Sequence, residues 1–429
     1  TAKVPARPAP PAGMRPERAT KGSDEMALEP HSHDEGFRRV HPSALPVSGA
    51  WRPGDPVGHR RFLRLPANRP FPLEGGGVLH GGVDLAYETW GTLAPDASNA
   101  VLVCHALTGD SHAAGQAADG HPAPGWWDGL IGPGKALDTD ELFVVCANVL
   151  GGCQGSTGPA HPHPDDGRPW GSRFPVVSVR DVVRLQASLA DHLGVRRWKA
   201  VAGGSMGGMQ VLEWAIMLPE RVGAAIAVAT CTAASAQQIG WWSTGRRIIR
   251  MDPRWRGGDY YDAAPGDGPH EGLSLARMVS QITFRSDDVF TDRFGREVVE
   301  PLQGGFSLWQ RFEVERYLEY HGDKLVRRFD ANTYLLLTKA MDLHDVGRGR
   351  GGAGSAFARI TAPVLAVGVS SDVLYPSYQS REIAQLAATA SGVRAEYVEV
   401  DSPHGHDAFL IEHDQVGDAV AKFLATTGD

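Results

Sequence analysis

Short unbroken apolar runs alternate with segments of helical periodicity along two separated stretches of this chain, and that alternation limits the fold more than any other feature. Ala100–Cys104 and Leu142–Cys146 are such runs, and continuous apolar runs of this length read as parallel strands buried on both faces. Val179–His192 carries apolar residues at helical spacing, with Gly194 as its stop. A short strand, Trp198–Ala202, leads into Gly203-Gly204-Ser205-Met206-Gly207-Gly208, and the helix that follows ends before Pro219. Ala224–Ala229 is the next strand. From about residue 232 the strand signal lapses, and the helical segments Gly272–Ile282, Leu308–His321 and Ala331–Leu343 succeed one another. Strands resume at Pro363–Val369 and Ala395–Val400. The pattern predicts an α/β protein with a doubly wound, mostly parallel sheet and helices on both faces.

The expected organisation is a disordered tail over 1–45, core over 46–230, a helical lid insertion over 231–355, and the rest of the core over 356–429. The tail is rich in Pro, Ala and mixed charge and cannot bury enough apolar surface to offset its ordering entropy. His31 and His33 lie in it and read as solvated. The Gly- and Arg-rich Gly347–Gly354 reads as a flexible return from the lid.

A net charge of −8 gives no field that would draw nucleic acid or an anionic membrane. No apolar run has the length of a membrane span, and no signal-peptide core opens the chain. The four cysteines, Cys104, Cys146, Cys153 and Cys231, form no CxxC pair, which suits a reducing cytoplasm.

Gly203-Gly204-Ser205-Met206-Gly207 matches G-x-S-x-G between a strand and a helix, the context of the nucleophile elbow of the α/β-hydrolase fold. A serine hydroxyl is a poor nucleophile at neutral pH and needs a general base. In that fold the partners follow in the order serine, acid, histidine. Asp372 stands just past the run Val364–Val369, and His406 follows the last strand and opens the last helix. His404 and Asp401 are the rivals on the same loop. The acid would hold one imidazole tautomer. An oxyanion hole would draw on the backbone N–H of Met206 and of Leu107, in the early loop His105-Ala106-Leu107-Thr108-Gly109. Gly129–Lys135 imitates a phosphate loop, but Ala136 stands where magnesium would need Ser or Thr. His161-Pro162-His163-Pro164-Asp165-Asp166 reads as a solvated loop, with no metal expected.

Beyond the bare triad, several segments resemble the homoserine O-acetyltransferase family. They include Gly125-Trp126-Trp127-Asp128, Asn148 to Pro159, Gly257-Gly258-Asp259-Tyr260, Arg327-Arg328-Phe329-Asp330 and Gly405-His406-Asp407-Ala408-Phe409-Leu410, within a match over about 60–428. The resemblance implies acyl transfer from acetyl-CoA to the hydroxyl of homoserine through Ser205, in methionine biosynthesis. It implies no bound cofactor, with acetyl-CoA as co-substrate, and a homodimer formed through the lid helices. It also implies that Arg277 binds the amino acid carboxylate, that Asp407 holds its amine, and that Thr108 contributes to the substrate site. Two departures touch that site: Phe284 stands where the family commonly has Tyr, and Gln237–Gly245 is bulkier than the family pattern. Serine as acceptor, succinyl-CoA as donor, and a serine esterase of the same fold are the alternatives.

Overall fold

The computed structural model describes residues 45–300 and 307–427. The tail expected over 1–45 lies, but for its last residue, outside the described residues. The chain opens with β1 (Arg61–Leu65), the small ribbon β2 (Phe71–Pro72) and β3 (Val78–Leu79), and β4 (Val83–Trp90). It continues through β5 (Ala100–Cys104), a second ribbon, β6 (Ile131–Gly132) and β7 (Leu137–Asp138), and β8 (Phe143–Ala147). Helix α1 (Val179–Leu193) is closed at its start by a Ser178–Asp181 capping box and at its end by left-handed Gly194. Each end of α1 thus meets its unpaired backbone groups with local chemistry. Then come β9 (Ala200–Gly204), α2 (Met206–Met217) and β10 (Ala225–Val228).

These strands join β11 (Val364–Val369) and β12 (Ala395–Val400) in one eight-stranded sheet of order β1-β4-β8-β5-β9-β10-β11-β12. β1 and β8 each pair with β4 antiparallel, and the remaining pairs are parallel. The strands from β5 to β11 along the sheet are buried at every residue, as their unbroken apolar composition requires. β1 and β4 carry no such run. Asp84 and Glu88 interrupt β4, so the alternation that identified the other strands does not single it out.

The chain leaves β5 toward β8 on one side and returns to β9 on the other. The crevice at the carboxyl ends of β5 and β9 is therefore a topological switch point, where open α/β sheets hold their ligands.

Between the neighbouring strands β10 and β11 run, among the described residues, six α-helices: α3 (Ala236–Met251), α4 (His270–Phe284), α5 (Asp287–Phe294), α6 (Glu313–Val326), α7 (Ala331–Asp342) and the short α8 (Ala353–Phe357). The expected return loop is anchored rather than loose. Arg350 Nη2 lies 2.7 Å from Glu213 of α2, which is 1% exposed, and Arg348 lies 3.2 Å from Glu74. Arg180 of α1 bonds both glutamates, at 3.0 and 2.8 Å. A buried carboxylate must be paired, and here the return segment supplies the partner. The chain ends in α9 (Ser377–Leu386), α10 (Ala408–Ile411) and α11 (His413–Ala425).

The His161–Asp166 loop also differs from expectation. His161 and His163 are buried, and the His163 ring packs 4.1 Å from that of Trp170. Burial holds the His161 imidazole down at about 4. The loop is closed by a bridge between Pro162 and Pro169 and by the Trp170 N–H, which donates to His161 O at 2.8 Å.

Candidate active site

Ser205 sits between β9 and α2 with φ 58° and ψ −122°, a conformation that costs a non-glycine residue energy. The surrounding backbone imposes it. Ser205 N–H donates to Val228 O at 2.9 Å, and Thr230 Oγ1 donates to Ser205 O at 2.8 Å. A Cβ on Gly207 would stand 2.0 Å from Cys104 O, so α2 can approach β5 this closely only without a side chain there. Behind the turn, Trp214, Gln186 and Gln210 form a buried hydrogen-bonded chain that ends on His105 O.

His406 Nε2 is 2.9 Å from Ser205 Oγ, and His406 Nδ1 is 2.7 Å from Asp372 Oδ2. Asp372 Oδ1 accepts from the N–H of Leu374 and of Tyr375, both at 2.8 Å. With one oxygen taken by backbone donors, the other is left to the imidazole and fixes its tautomer. All three side chains are buried. The rivals face elsewhere: Asp401 accepts from Ser370 at 3.1 Å, and His404 lies 4.0 Å from Glu412. Rings of Tyr375, Phe409 and Phe284 stand 5.0, 5.3 and 5.9 Å from that of His406.

Leu107 follows the carboxyl end of β5 and Met206 opens α2. Among the described residues neither backbone N–H has an acceptor. Several bonds hold the Leu107 loop. His105 Nδ1 lies 2.7 Å from Ala106 O, its Nε2 accepts from Val149 N–H at 3.0 Å, and burial keeps this ring neutral by lowering its pKa. Arg328, between α6 and α7, donates to Thr108 O at 2.7 Å, which ties the lid to this loop.

The end of α4 lies against the histidine turn. Gly405 has φ 67°, and a Cβ there would meet the Arg285 backbone at 2.8 Å, so only glycine admits the contact. Ser286 Oγ donates to Pro403 O. Arg277 places its guanidinium 5.0 Å over the Phe284 ring, and burial lowers its pKa against the opposing pull of Asp407. Asp407 Oδ2 is 3.2 Å from Arg285 Nη2. The two departures meet here as well, since the buried Trp242 of α3 lies 6.5 Å from Phe284.

Sequence reasoning passed over Arg285, Arg328 and a buried group comprising Glu88, His112 and His121. Glu88 accepts from Ser111 Oγ at 2.8 Å and lies 2.9 Å from His112 Nδ1, just beyond the Leu107 loop. Burial opposes charge on His112, but the bonded Glu88 outweighs it and raises the imidazole; burial, aided by Arg60, holds His121 down at about 4. The ligand-capable atoms of these three residues lie within 4.8 Å of one another. The rings of His112 and His121 stack at 4.0 Å and 16°, so their planes are nearly parallel. The hydrogen bonds make the group an anchor for the loop.

An elbow serine, a buried histidine and a strand-end carboxylate at a switch point define an enzyme of the α/β-hydrolase fold. The family model for that fold matches residues 99–413. Homoserine O-acetyltransferase of Thermobifida fusca is 54% identical over 384 residues, covering 89% of this chain and 98% of that protein. The enzyme of that name from Clavibacter michiganensis subsp. michiganensis is 50% identical over 385 residues, covering 89% and 96%. Among solved structures, homoserine O-acetyltransferase from Bacillus anthracis superposes with a TM-score of 0.78 at 30% identity, over 85% of this chain and 97% of that one. Esterase E22 superposes with a TM-score of 0.77 at 29% identity, over 85% and 99%. The chain belongs to the homoserine O-acetyltransferase family.

Proposed function

We propose that this enzyme transfers an acetyl group from acetyl-CoA to the side-chain hydroxyl of L-homoserine through an acyl-Ser205 intermediate. The observation that carries the reading is the Ser205–His406–Asp372 chain at 2.9 and 2.7 Å, beneath a lid that brings Arg277 beside it, with Asp407 next to His406 in the turn. His406 takes the Ser205 proton as Oγ attacks the thioester carbonyl, and the oxyanion accepts hydrogen bonds from the Leu107 and Met206 N–H groups. The C–S bond breaks, and His406 gives its proton to the departing thiolate. His406 then deprotonates the acceptor hydroxyl, which attacks the acyl-serine, and His406 returns the proton to Ser205 Oγ as its ester bond breaks.

Arg277 suits the acceptor carboxylate as a two-toothed donor. Asp407, paired with Arg285, suits the ammonium, and Thr108, beside the Leu107 donor, is the third residue of the proposed substrate site. Acetyl-CoA is a co-substrate rather than a resident cofactor. The reading places the enzyme in methionine biosynthesis in the cytoplasm, as a homodimer joined through lid helices. No helix among the described residues is long and apolar enough to cross a membrane.

Esterase chemistry is the second reading, favoured by the likeness to esterase E22. It differs only in admitting water as the second nucleophile, so exclusion of water by the lid decides between them. The test measures CoA release from acetyl-CoA and succinyl-CoA, each with homoserine, serine or no acceptor. Release only with acetyl-CoA plus homoserine is the expected result. Release with serine or succinyl-CoA reassigns acceptor or donor, and release without any acceptor replaces the transferase by a hydrolase.

A further inference from the structure

The Leu107 loop runs on into a buried ionic group that takes no part in the chemistry of the triad. Ser111 and His112 both bond the Glu88 carboxylate, one to each oxygen. Glu88 belongs to β4 and is 1% exposed, so the sheet itself holds this end of the loop. Two turns close the stretch between. Gly109 N–H donates to Ala106 O at 3.0 Å, and His112 N–H donates to Asp110 Oδ1 at 2.8 Å. Trp126 Nε1 donates to Asp110 O at 3.0 Å. In so short and closed a run, a shift at Glu88 is passed on to the Leu107 N–H. A donor displaced by about 1 Å from a forming oxyanion costs about a hundredfold in rate.

The bond between Glu88 and His112 is also a matter of charge. Burial opposes the imidazolium, but Glu88 first, then Asp110 and the Gln116 backbone, outweigh it and raise this ring. The other groups facing the pair do not replace that cation. His121 is stacked on His112, lies 3.6 Å from Glu88 through Nε2, and accepts there from His59 N–H at 3.1 Å. Burial holds it down at about 4, so it stays neutral. The His59 ring lies 6.2 Å from that of His112, and burial keeps Cys146 of β8 a neutral thiol. The Arg60 guanidinium faces Glu88 as well, but its bonds go to the carbonyls of Val57, Gly120 and Gln154 and to the Gln154 side chain. Among the described residues, His112 is thus the one cation bonded to Glu88, and it loses its charge as pH rises through its raised value. A buried carboxylate left with neutral donors alone is destabilised.

We propose that Glu88 is a positioning residue for acylation, which through Ser111 and His112 holds the Leu107 N–H where the oxyanion forms. The proposal rests on the acyl-Ser205 reading given above, with Leu107 as a donor.

The experiment follows release of p-nitrophenol from p-nitrophenyl acetate with enzyme in excess, so that each release reports one acylation of Ser205. Rate constants are taken across pH, beside melting temperatures, for wild type, Glu88→Gln, His112→Gln and Ser111→Ala. Wild type should show an acid limb, where His406 is protonated, and an alkaline limb above the ordinary histidine range, where His112 loses its proton. Glu88→Gln should slow acylation about tenfold or more at neutral pH and move the alkaline limb to lower pH, with the acid limb in place. His112→Gln should remove the alkaline limb. Ser111→Ala, the mildest change, should slow acylation a few-fold with both limbs in place, and it tests the link even where the other two fail to fold. Acylation at the wild-type rate in folded variants overturns the proposal. So does a slower rate whose alkaline limb stays put in both Glu88→Gln and His112→Gln, which would make the group a structural tie. Equal release by wild type and Ser205→Ala overturns the acyl-serine reading, and the positioning role with it.

Discussion

The elbow and the lid face that meets it are built on different principles. Around Ser205, each constraint comes from nearby backbone: β9 and β5 carry unbroken apolar runs, Gly203 and Gly207 lie against Cys104, and Ser205 is held at φ 58°. On the lid face, single polar atoms reach far along the chain, with Arg328 to Thr108, Ser286 to Pro403 and Arg285 to Asp407. The first region is fixed by close packing, which tolerates little change. The second is fixed by a few directed bonds, which can be exchanged one at a time. Reaction type thus resides in the packed part and substrate choice in the exchangeable part.

Five substitutions test this comparison: three in the elbow, one in a buried loop outside both regions and one on the lid face. The largest effect belongs to the packed part: Ser205→Ala should lower CoA release by on the order of 10⁴ or more with the fold intact. Ser205→Gly should be as inactive yet unfold at a higher temperature, because it relieves the strained φ, worth about 1 kcal/mol. A Ser205→Gly melting point at or below that of Ser205→Ala would contradict the strain. Next, Gly207→Ala should cost about 4 kcal/mol in denaturant unfolding, since its Cβ would meet Cys104 O at 2.0 Å. A loss under 1 kcal/mol would mean that the elbow yields as readily as the lid.

Acid comes third. His161 is 7% exposed and is held at about 4, below its value of about 6.5 in an unfolded chain. The unfolded chain therefore binds a proton that the fold refuses. Stability is full above pH 6.5 and falls by about 3 kcal/mol as pH drops to 4. His161→Gln should flatten this limb of a melting-temperature profile; an unchanged slope would assign it to other groups. Smallest is Arg328→Gln, which frees Thr108 O and should lower kcat by about tenfold with little change in melting temperature. A change in melting temperature alone would make Arg328 a structural tie without influence on the oxyanion loop.

What could be read in the sequence follows the same division. The apolar runs placed the parallel strands to within a residue or two, because their chemistry is local. The order of serine, acid and histidine named Ser205, Asp372 and His406, which the fold brings into one hydrogen-bonded chain. β4 was silent because Glu88 in a buried strand makes sense only beside Ser111 and His112. Arg348 and Arg350 looked like the charges of a loose linker, since the buried Glu213 that holds Arg350 lies far away in the sequence. His161 and His163 looked solvated because the prolines around them suggest exposure and nothing local announces Trp170. Arg277 and Asp407 were reachable only through resemblance, as a lone arginine on a helix is ordinarily a surface charge.

β10 and β11 are hydrogen-bonded parallel neighbours, so the whole helical cap is inserted in the single crossover between two adjacent strands. Because the two strands are parallel, any replacement must keep a crossover of about a dozen residues from the carboxyl end of β10 to the amino end of β11, but the ladder itself needs nothing more of the cap. Evolution can therefore exchange one cap for another as a cassette, without reopening the serine's foundations. The cost of each exchange is confined to a handful of ties. A new cap must again meet the Thr108 carbonyl, lie flat on Gly405 and answer Glu213, and a graft designed to carry those three contacts would be the direct way to give this scaffold a different acceptor.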